Sequence, residues 1–541
     1  MSDTNRSRES HRWWLIGLGF VAFVLPHAGL LNLPYYWDEA GYYIPAARDL
    51  LLRGSLIPQS TVSNAHPPLV MAYLALMWKI AGFKPIVTRL AMLGLGAFSL
   101  TGFYRLASRV ANGHVACAST LCVALYPVFF AQSSLAHVDL AAAGFSFWAW
   151  GDHVEDRPWR AAAWFSFAAL AKETAILLPL ALFGWQLLGH LPRLRRSTLF
   201  ANLRRWSYSF SLLIPVVPLA MWFAFHYSRT GYIFGNPEFF RYNVQATMQP
   251  LRILLVLILR LWQLLGYLNL LILTGAALAA MCWPPLTDEH KERPRIALAT
   301  QFEFYAVIAA YTLAMSLIGG AVLARYMLPV VPLVILVSVS TIWRRVRPWP
   351  WILAIVVTGF VAALFINPHY GFAMEDNLAY RDYIVLHQGA EAALERRYPQ
   401  ARVLTAWPAS DEITRPYLGY VNRPLRVFPI EDFTVEHLMV ASEQTSNFDV
   451  ALVFSTKYDH PHPWFRSWQA WQEWKARFFG YHRDLPPAVA AQVLGGRLVY
   501  EEDRGGQWAA VIEMEQIQEA AATIKDGPLH RPSGGRNGSS Q

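Results

Sequence analysis

Long apolar runs separated by short polar segments dominate the first two-thirds of the chain. Residues 12–367 are almost continuously apolar, whereas residues 368–541 mix polar and apolar positions as a soluble domain does. Because about 20 apolar residues cross the hydrocarbon as a helix, this pattern predicts a multi-span α-helical membrane protein with about 11 transmembrane helices and a C-terminal soluble α/β domain. The runs are too long to be the strands of a barrel.

Arginines beside the apolar runs predict how the chain crosses the membrane. Arg6, Arg8 and Arg12 precede the first run, 13–34, and place the N-terminus in the cytoplasm under the positive-inside rule. No small-residue cleavage site follows, so a retained helix is predicted rather than a signal peptide. Further spans are predicted at 88–107, 114–132, 140–154, 160–171, 174–190, 206–227, 251–283, 302–321, 327–343 and 349–367. The last span leaves the C-terminal domain outside, in the periplasm of a bacterial-type inner membrane.

Two segments near the N-terminus are not predicted to be spans. Residues 35–66 form an outer loop, in which apolar residues between Glu39 and Arg53 recur at helical spacing. That spacing predicts a short amphipathic helix on the membrane surface. The next apolar run, 67–83, is short, and if it crossed, the arginines that end the run after it would face outside. It is therefore predicted to be interfacial or re-entrant.

The C-terminal part divides into a globular domain and a tail. The predicted domains are a membrane domain at 1–367, a periplasmic globular domain at 368–519 and a disordered tail at 520–541. Within the globular domain the sequence predicts strands at 402–407 and 448–455, helices at 377–397 and 465–479, and a hairpin at 497–514 that turns at Gly505-Gly506.

Composition narrows the classes of function. Charged residues make up 15% of the chain, against about 25% in soluble domains. The net charge of +9 does not predict a nucleic-acid partner, because the arginines cluster beside apolar runs as membrane anchors do. Cys117, Cys122 and Cys282 lie in apolar stretches without the spacing of a disulfide framework or a metal site. The sequence also lacks the P-loop, Rossmann, GxSxG and HExxH motifs. No cofactor is predicted, although a divalent metal is not excluded.

Ionisable residues beside membrane spans are candidates for a site. The informative ones come from distant parts of the sequence, yet the predicted topology gathers them at the outer ends of helices. They are Asp38, Glu39, His66, Asp139, Lys172, Glu173 and Arg325. This convergence is the main indication of a functional site.

Asp38 and Asp139 each allow a functional and a structural interpretation. Asp38, at a predicted helix start, would be held ionised there and would suit a general base, or it would simply cap the helix. Asp139 lies in an apolar context, where a carboxylate needs water or a cationic partner.

The cationic positions point to phosphate. Arg325, followed by Tyr326, offers bidentate geometry to a phosphate, or it reaches to the interface as an anchor. Lys172, followed by Glu173, would reach a lipid phosphate or form a local ion pair in a turn. His66 would donate to a phosphate or begin the next helix at Pro67. Arg241 is either a further phosphate contact or a solvated loop charge.

These motifs resemble a known superfamily. WDEAGYYIPAARDLLLRG followed by HPPL resembles the first outer loop of the glycosyltransferase C superfamily, and AKETAILLP and RYMLPVVP strengthen the likeness. The resemblance covers roughly residues 12–370. It is nearest to the protein O-mannosyltransferase and lipid A aminoarabinose transferase group, which is glycosyltransferase family 39-like, and to bacterial relatives that add sugars to lipopolysaccharide cores.

The resemblance implies roles for individual residues. Asp38 matches the catalytic carboxylate, Glu39 its acidic neighbour, and Asp139 a second acidic position, and these three are the predicted catalytic residues. His66 matches a residue near the donor phosphate, and Lys172 and Arg325 match cations that neutralise the leaving group. The sequence departs from some relatives at Ala65, where they carry an additional acid.

The implied function is an inverting transfer of a sugar from a polyprenyl-phosphate donor to a lipid, glycan or protein acceptor. The donor is itself a lipid and arrives laterally through the membrane lipids, so no nucleotide site is needed. A transporter or flippase for lipid-linked glycans is the alternative, and it predicts repeated halves with midplane charges. A polymerase or ligase of the same fold would carry longer outer loops.

Overall fold

The computed structural model of the chain describes residues 19–190, 206–237, 240–241, 247–318, 320–458, 460 and 462–514. These residues fall in two compact units, one within Met1–Val385 and Lys457–Tyr481, the other within Leu386–Thr456 and His482–Gln541. The units are defined by packing and not by a membrane, so the predicted domain bounds at 367 and 519 stay predictions. The predicted disordered tail lies outside the described residues.

The first unit is mainly helical. Its helices, in chain order, are α1 (Ile44–Arg53), α2 (Leu69–Ala81), α3 (Pro85–Val110), α4 (Gly113–Leu125), α5 (Pro127–Gln132), α6 (Asp139–Val154), α7 (Pro158–Ala171), α8 (Leu177–His190), α9 (Val216–Thr230), α10 (Pro250–Leu265), α11 (Leu270–Ala280), α12 (Leu298–Leu317), α13 (Val331–Arg345) and α14 (Trp349–Phe365). Between α11 and α12 the strands β1 (Thr287–Asp288) and β2 (Lys291–Glu292) form a small hairpin, and between α12 and α13 lies a 3-10 turn, Ala324–Met327. A second 3-10 turn, Met374–Asp376, follows α14.

Several helices have the length and composition of membrane spans. Among the described residues, four helical stretches, which include short turns in two cases, are long and apolar enough to cross: Pro85–Val110, Trp206–Thr230, Pro250–Ala280 and Leu298–Leu317. Shorter apolar helices occur at Gly19–Leu30, Leu69–Ala81, Gly113–Leu125, Glu173–Gly189 and Trp349–Phe365. A mainly helical protein with helices long and apolar enough to span a membrane is thus confirmed, and the count of about 11 spans stays a prediction.

Three predicted segments show where local sequence shapes the fold. α2 is about 20 Å long at 1.5 Å per residue, short of the hydrocarbon thickness, and the interfacial interpretation of 67–83 stays a prediction. The run predicted at 114–132 is divided at Tyr126, which is extended because a proline follows it. The run predicted at 251–283 is divided after α10, where Leu268 and Asn269 have positive φ.

Close packing of α3 against α6 sets the position of the α6 N-terminus. A Cβ built on Gly144 would lie 3.0 Å from Ser99 Cβ and 3.2 Å from Ser99 Cα. The hydroxyl of Ser99 also donates to the carbonyl of Leu140 across this contact (3.3 Å). Small residues thus let two helix backbones approach closely, as is common between membrane helices.

The second unit contains a mixed sheet. Its helices are α15 (Ala379–Arg397, which begins in the first unit), α16 (Ala409–Thr414) and α17 (Val435–Ser442), and after α18 (Gln469–Phe479) of the first unit, α19 (Pro487–Leu494). Its strands are β3 (Arg402–Ala406), β4 (Arg426–Ile430), β5 (Val450–Phe454), β6 (Gly496–Arg504) and β7 (Gln507–Met514). The sheet order is β4-β3-β5-β7-β6, with β4, β3 and β5 parallel and the last two antiparallel to their neighbours.

The elements predicted for residues 368–519 correspond to β3, β5, α15, α18 and the β6–β7 hairpin. Strand β4 was not predicted, because Pro429 interrupts its pattern. Its place at the edge of the sheet explains why proline is tolerated there.

Candidate active site

Arg325 is the centre of a buried ionic cluster in the first unit. It lies in the 3-10 turn Ala324–Met327 and is only 2% exposed. Its guanidinium pairs with Asp38 through Nη2, with Glu375 Oε2 through Nη1 (2.7 Å), and lies 3.4 Å from Asp139 Oδ2 at Nε. One cation therefore meets carboxylates from three distant parts of the chain.

Lys172 adds a second cation to this cluster. Its Nζ pairs with Asp139 Oδ1, and it lies 3.6 Å from the ring centroid of Tyr326. The contact follows from topology: α6 begins at Asp139 and runs away from the cluster, and α7 returns and ends just before Lys172. Asp139 thus bridges Lys172 and Arg325.

Asp38 is the accessible acid of the cluster. Its side chain is 33% exposed, whereas the side chains of Asp139 and Glu375 are buried. It stands at the start of the π-helical turn Glu39–Tyr43 but makes no capping hydrogen bond. The interpretation as a simple cap is therefore wrong, because the carboxylate turns to Arg325 instead.

The backbone before Asp38 adopts an unusual conformation. Trp37 has a φ of 41°, in the left-handed region that a bulky residue rarely enters. Ala65, immediately before His66, likewise has a φ of 57°. Such residues often cluster at functional sites, where the surrounding structure holds them.

Glu39 occupies a different environment from Asp38. It is fully buried and forms a two-point pair with Arg89 of α3. Its oxygens also accept from the backbone N–H groups of Tyr36 (2.8 Å) and Ala136 (2.6 Å). These contacts fix the segment around Glu39 against α3, and they favour a positioning role over the catalytic role predicted for Glu39.

His66 and Glu173 form a second pair. His66 Nδ1 lies 3.0 Å from Glu173 Oε2, and the His66 ring stacks on Tyr43 at 5.8 Å. Glu173 follows Lys172 directly, so this pair adjoins the Arg325 cluster through the chain. The predicted local ion pair between Lys172 and Glu173 is replaced by two separate pairs.

Two predicted residues need separate mention. Tyr326 borders both cations, with its ring centroid 5.6 Å from the Arg325 guanidinium carbon. Arg241 is exposed, and among the described residues no hydrogen bond or ion pair joins it to the cluster.

The sequence did not predict two members of the cluster. His137 Nδ1 lies 2.9 Å from Arg325 Nη1, and Glu375 lies in the turn after α14. Burial raises the pKa of Glu375 to about 8, although Arg325 acts in the opposite direction. Burial, reinforced by the Arg325 charge, lowers the pKa of His137. The sequence signal was present, in the His of SSLAHVD and in the acids of GFAMEDN beyond the last apolar run.

The cluster offers donor atoms but does not fit a resident metal. One ligand atom each from Asp38, His137 and Glu375 could be grouped within 4.8 Å. The guanidinium of Arg325 already contacts all three. A metal there would stand beside a fixed cation, so the set as arranged is an arginine site.

A known protein family is similar to part of this chain in sequence, and solved structures are similar to it in fold. Residues 65–222 match the family described as dolichyl-phosphate-mannose-protein mannosyltransferase. Two solved structures of ArnT from Cupriavidus metallidurans, bound to undecaprenyl phosphate and in the apo state, are 14% and 15% identical to this chain. Each match covers 93% of this chain and 98% of the other, with TM-scores of 0.52 and 0.51. The predicted resemblance to the glycosyltransferase C superfamily is confirmed.

The similarity to known proteins covers the fold and one stretch of the sequence. Identities of this size show a shared fold, and none of the curated proteins matches the chain. The family match includes His66, Asp139 and Lys172, whereas Asp38 and Arg325 lie outside it. The comparisons thus show a shared fold over most of the chain and a family match over residues 65–222.

Proposed function

We propose that the chain transfers a sugar from a polyprenyl-phosphate donor to a lipid, glycan or protein acceptor on the periplasmic side of a bacterial inner membrane. The observation that carries this proposal is the Arg325 cluster, in which an accessible carboxylate, Asp38, stands beside two buried cations. The fold shared with ArnT, which has been solved bound to undecaprenyl phosphate, supports a lipid-linked donor.

In this mechanism Asp38 is the general base. The acceptor hydroxyl gives its proton to the exposed carboxylate as its oxygen forms a bond to the anomeric carbon. The bond from that carbon to the phosphate oxygen breaks on the opposite face, and its electron pair leaves with the polyprenyl phosphate. Attack opposite the leaving group inverts the anomeric centre.

Arg325 and Lys172 stabilise the leaving group. A sugar phosphodiester carries one negative charge, and the released phosphate carries up to two, so the local negative charge grows during the reaction. Buried cations that are already oriented stabilise such developing charge without reorganisation. Asp139 holds both cations at the site and is a positioning residue in this scheme.

The first test removes the base. Purified protein is incubated with a panel of polyprenyl-phosphate sugars, and release of polyprenyl phosphate is measured for wild type and Asp38→Asn. We expect a loss of at least about 100-fold in turnover, the usual contribution of a general base. Asp156→Asn is the matched control, because Asp156 is exposed in the turn at the far ends of α6 and α7.

Thermal unfolding of both variants separates chemistry from folding, since Asp38→Asn also removes a partner of Arg325. Equal turnover in wild type and Asp38→Asn would refute the base assignment. Movement of the donor lipid across proteoliposomes without its consumption would instead indicate a transporter.

A further inference from the structure

A buried group of three ionisable side chains in the second unit takes no part in the proposed reaction. His387 and Glu391 lie on α15, and Glu412 lies on α16. The Nδ1 atom of His387 is 2.6 Å from Glu412 Oε2 and 3.6 Å from Glu391 Oε1. One ligand atom from each residue lies within 4.8 Å of the others, and all three residues are buried.

The spacing along the chain explains why these side chains meet. His387 and Glu391 are four residues apart, which places them on one face of α15. α16 follows β3 after a short turn, and Glu412 lies in the second half of α16. The histidine ring packs edge-on against Phe454 of the central strand β5, at 4.5 Å, so the group has an apolar neighbour.

The charges in this group are not balanced by what surrounds it. Both carboxylate oxygens of Glu391 and Oε1 of Glu412 are buried, and apart from a contact between the two carboxyl groups themselves they have no hydrogen-bond partner among the described residues. Within the same part of the chain, no Lys or Arg ion pair reaches either glutamate, and His387 is the partner of both. Buried carboxylates need cations or hydrogen bonds, because burial strips them of water.

We propose that His387, Glu391 and Glu412 bind a divalent cation of the zinc class. One imidazole nitrogen and two carboxylates form a nitrogen and oxygen donor set that suits zinc. A divalent cation would cancel the charge of both glutamates and supply a partner for the Glu391 oxygens. The bound cation would link α15 to α16, so its role is structural. Cation binding would release the protons held by the three side chains.

The test uses the full-length protein in detergent. The protein is stripped with a chelator, dialysed and titrated with zinc sulfate, and bound zinc is measured by elemental analysis. We expect one zinc per wild-type chain and a zinc-dependent rise in Tm, because a ligand that binds only the folded state stabilises it. Cobalt substitution should give the absorption bands of a nitrogen and oxygen site.

Glu391→Gln and Glu412→Gln should each weaken zinc binding by more than the roughly 10-fold to 100-fold that a change beyond the ligands costs. Glu395→Gln is the matched control: it lies one turn further along α15 and bonds to Asn422 and Arg423 instead. The glutamines are isosteric and uncharged, so these variants should remain folded without zinc.

Equal zinc content in wild type and Glu391→Gln, or the absence of stoichiometric binding by folded wild type, would overturn the proposal. The second result would identify the group as a proton-sharing cluster. Both readouts are independent of Asp38 and of sugar transfer.

Discussion

Arg325 shows how one side chain can organise a site. A lysine would keep the charge but could not reach Asp38 and Glu375 with separate nitrogens, as the planar guanidinium does. This arrangement also places three acids next to the proposed phosphate site, where their negative charge opposes binding of the phosphate. Protonation of one acid lowers the negative charge at the site, and burial raises the pKa of Glu375.

The pH dependence of donor binding should report on Glu375. Burial, the largest influence, raises its pKa to about 8, so the side chain is neutral below that pH and negative above it. A new negative charge beside Arg325 repels the donor phosphate. We therefore expect the KM for the donor to rise as the pH passes through about 8.

Glu375→Gln tests this expectation, because glutamine stays neutral throughout. Steady-state kinetics from pH 6 to pH 9.5 should show no rise in KM near pH 8 in this variant. An unchanged profile would show that another group titrates. Asp376, whose pKa burial raises to about 7, is hydrogen-bonded to Tyr267 and is the next candidate.

Among the helices, α3, α6 and α7 determine where the charged residues meet. Asp139 and Lys172 are contributed by the adjoining ends of an antiparallel pair, and α3 holds the segment around Glu39 through Arg89. The sequence predicted these helices well. It did not predict the breaks at Tyr126 and Leu268, because both lie within continuous apolar runs.

Gly144→Ala should disturb the cluster without touching it. The added Cβ would lie within 3.2 Å of the Ser99 backbone, so α6 must shift and carry Asp139 with it. A displacement of about 1 Å can cost on the order of 100-fold in rate, and we expect a loss of turnover of that size together with a lower Tm.

Gly184→Ala on α8 is the control, because nothing lies within 4 Å of a Cβ there. Comparison of turnover and Tm for the two alanine variants isolates the effect of the α3–α6 contact. Wild-type turnover in Gly144→Ala would show that the helices adjust without moving Asp139.

At the scale of the whole molecule, the predicted orientation places residues 368–541 in the periplasm. Protease added to spheroplasts should then cleave this part of the chain. Protease that reaches only the cytoplasmic face of the membrane should not cleave it. Immunoblotting with tags at each terminus would follow the fragments. Cleavage from the cytoplasmic face alone would reverse the topology and contradict a periplasmic site.

The sequence by itself determined the class of protein and most helices, because apolar runs of sufficient length have few alternatives in a membrane. It also identified Asp38, Asp139, Lys172 and Arg325 as candidates. Only the tertiary structure decided their partners. Whether a carboxylate is exposed like Asp38 or saturated like Glu39 depends on contacts between residues far apart in the chain, and local sequence does not specify those contacts.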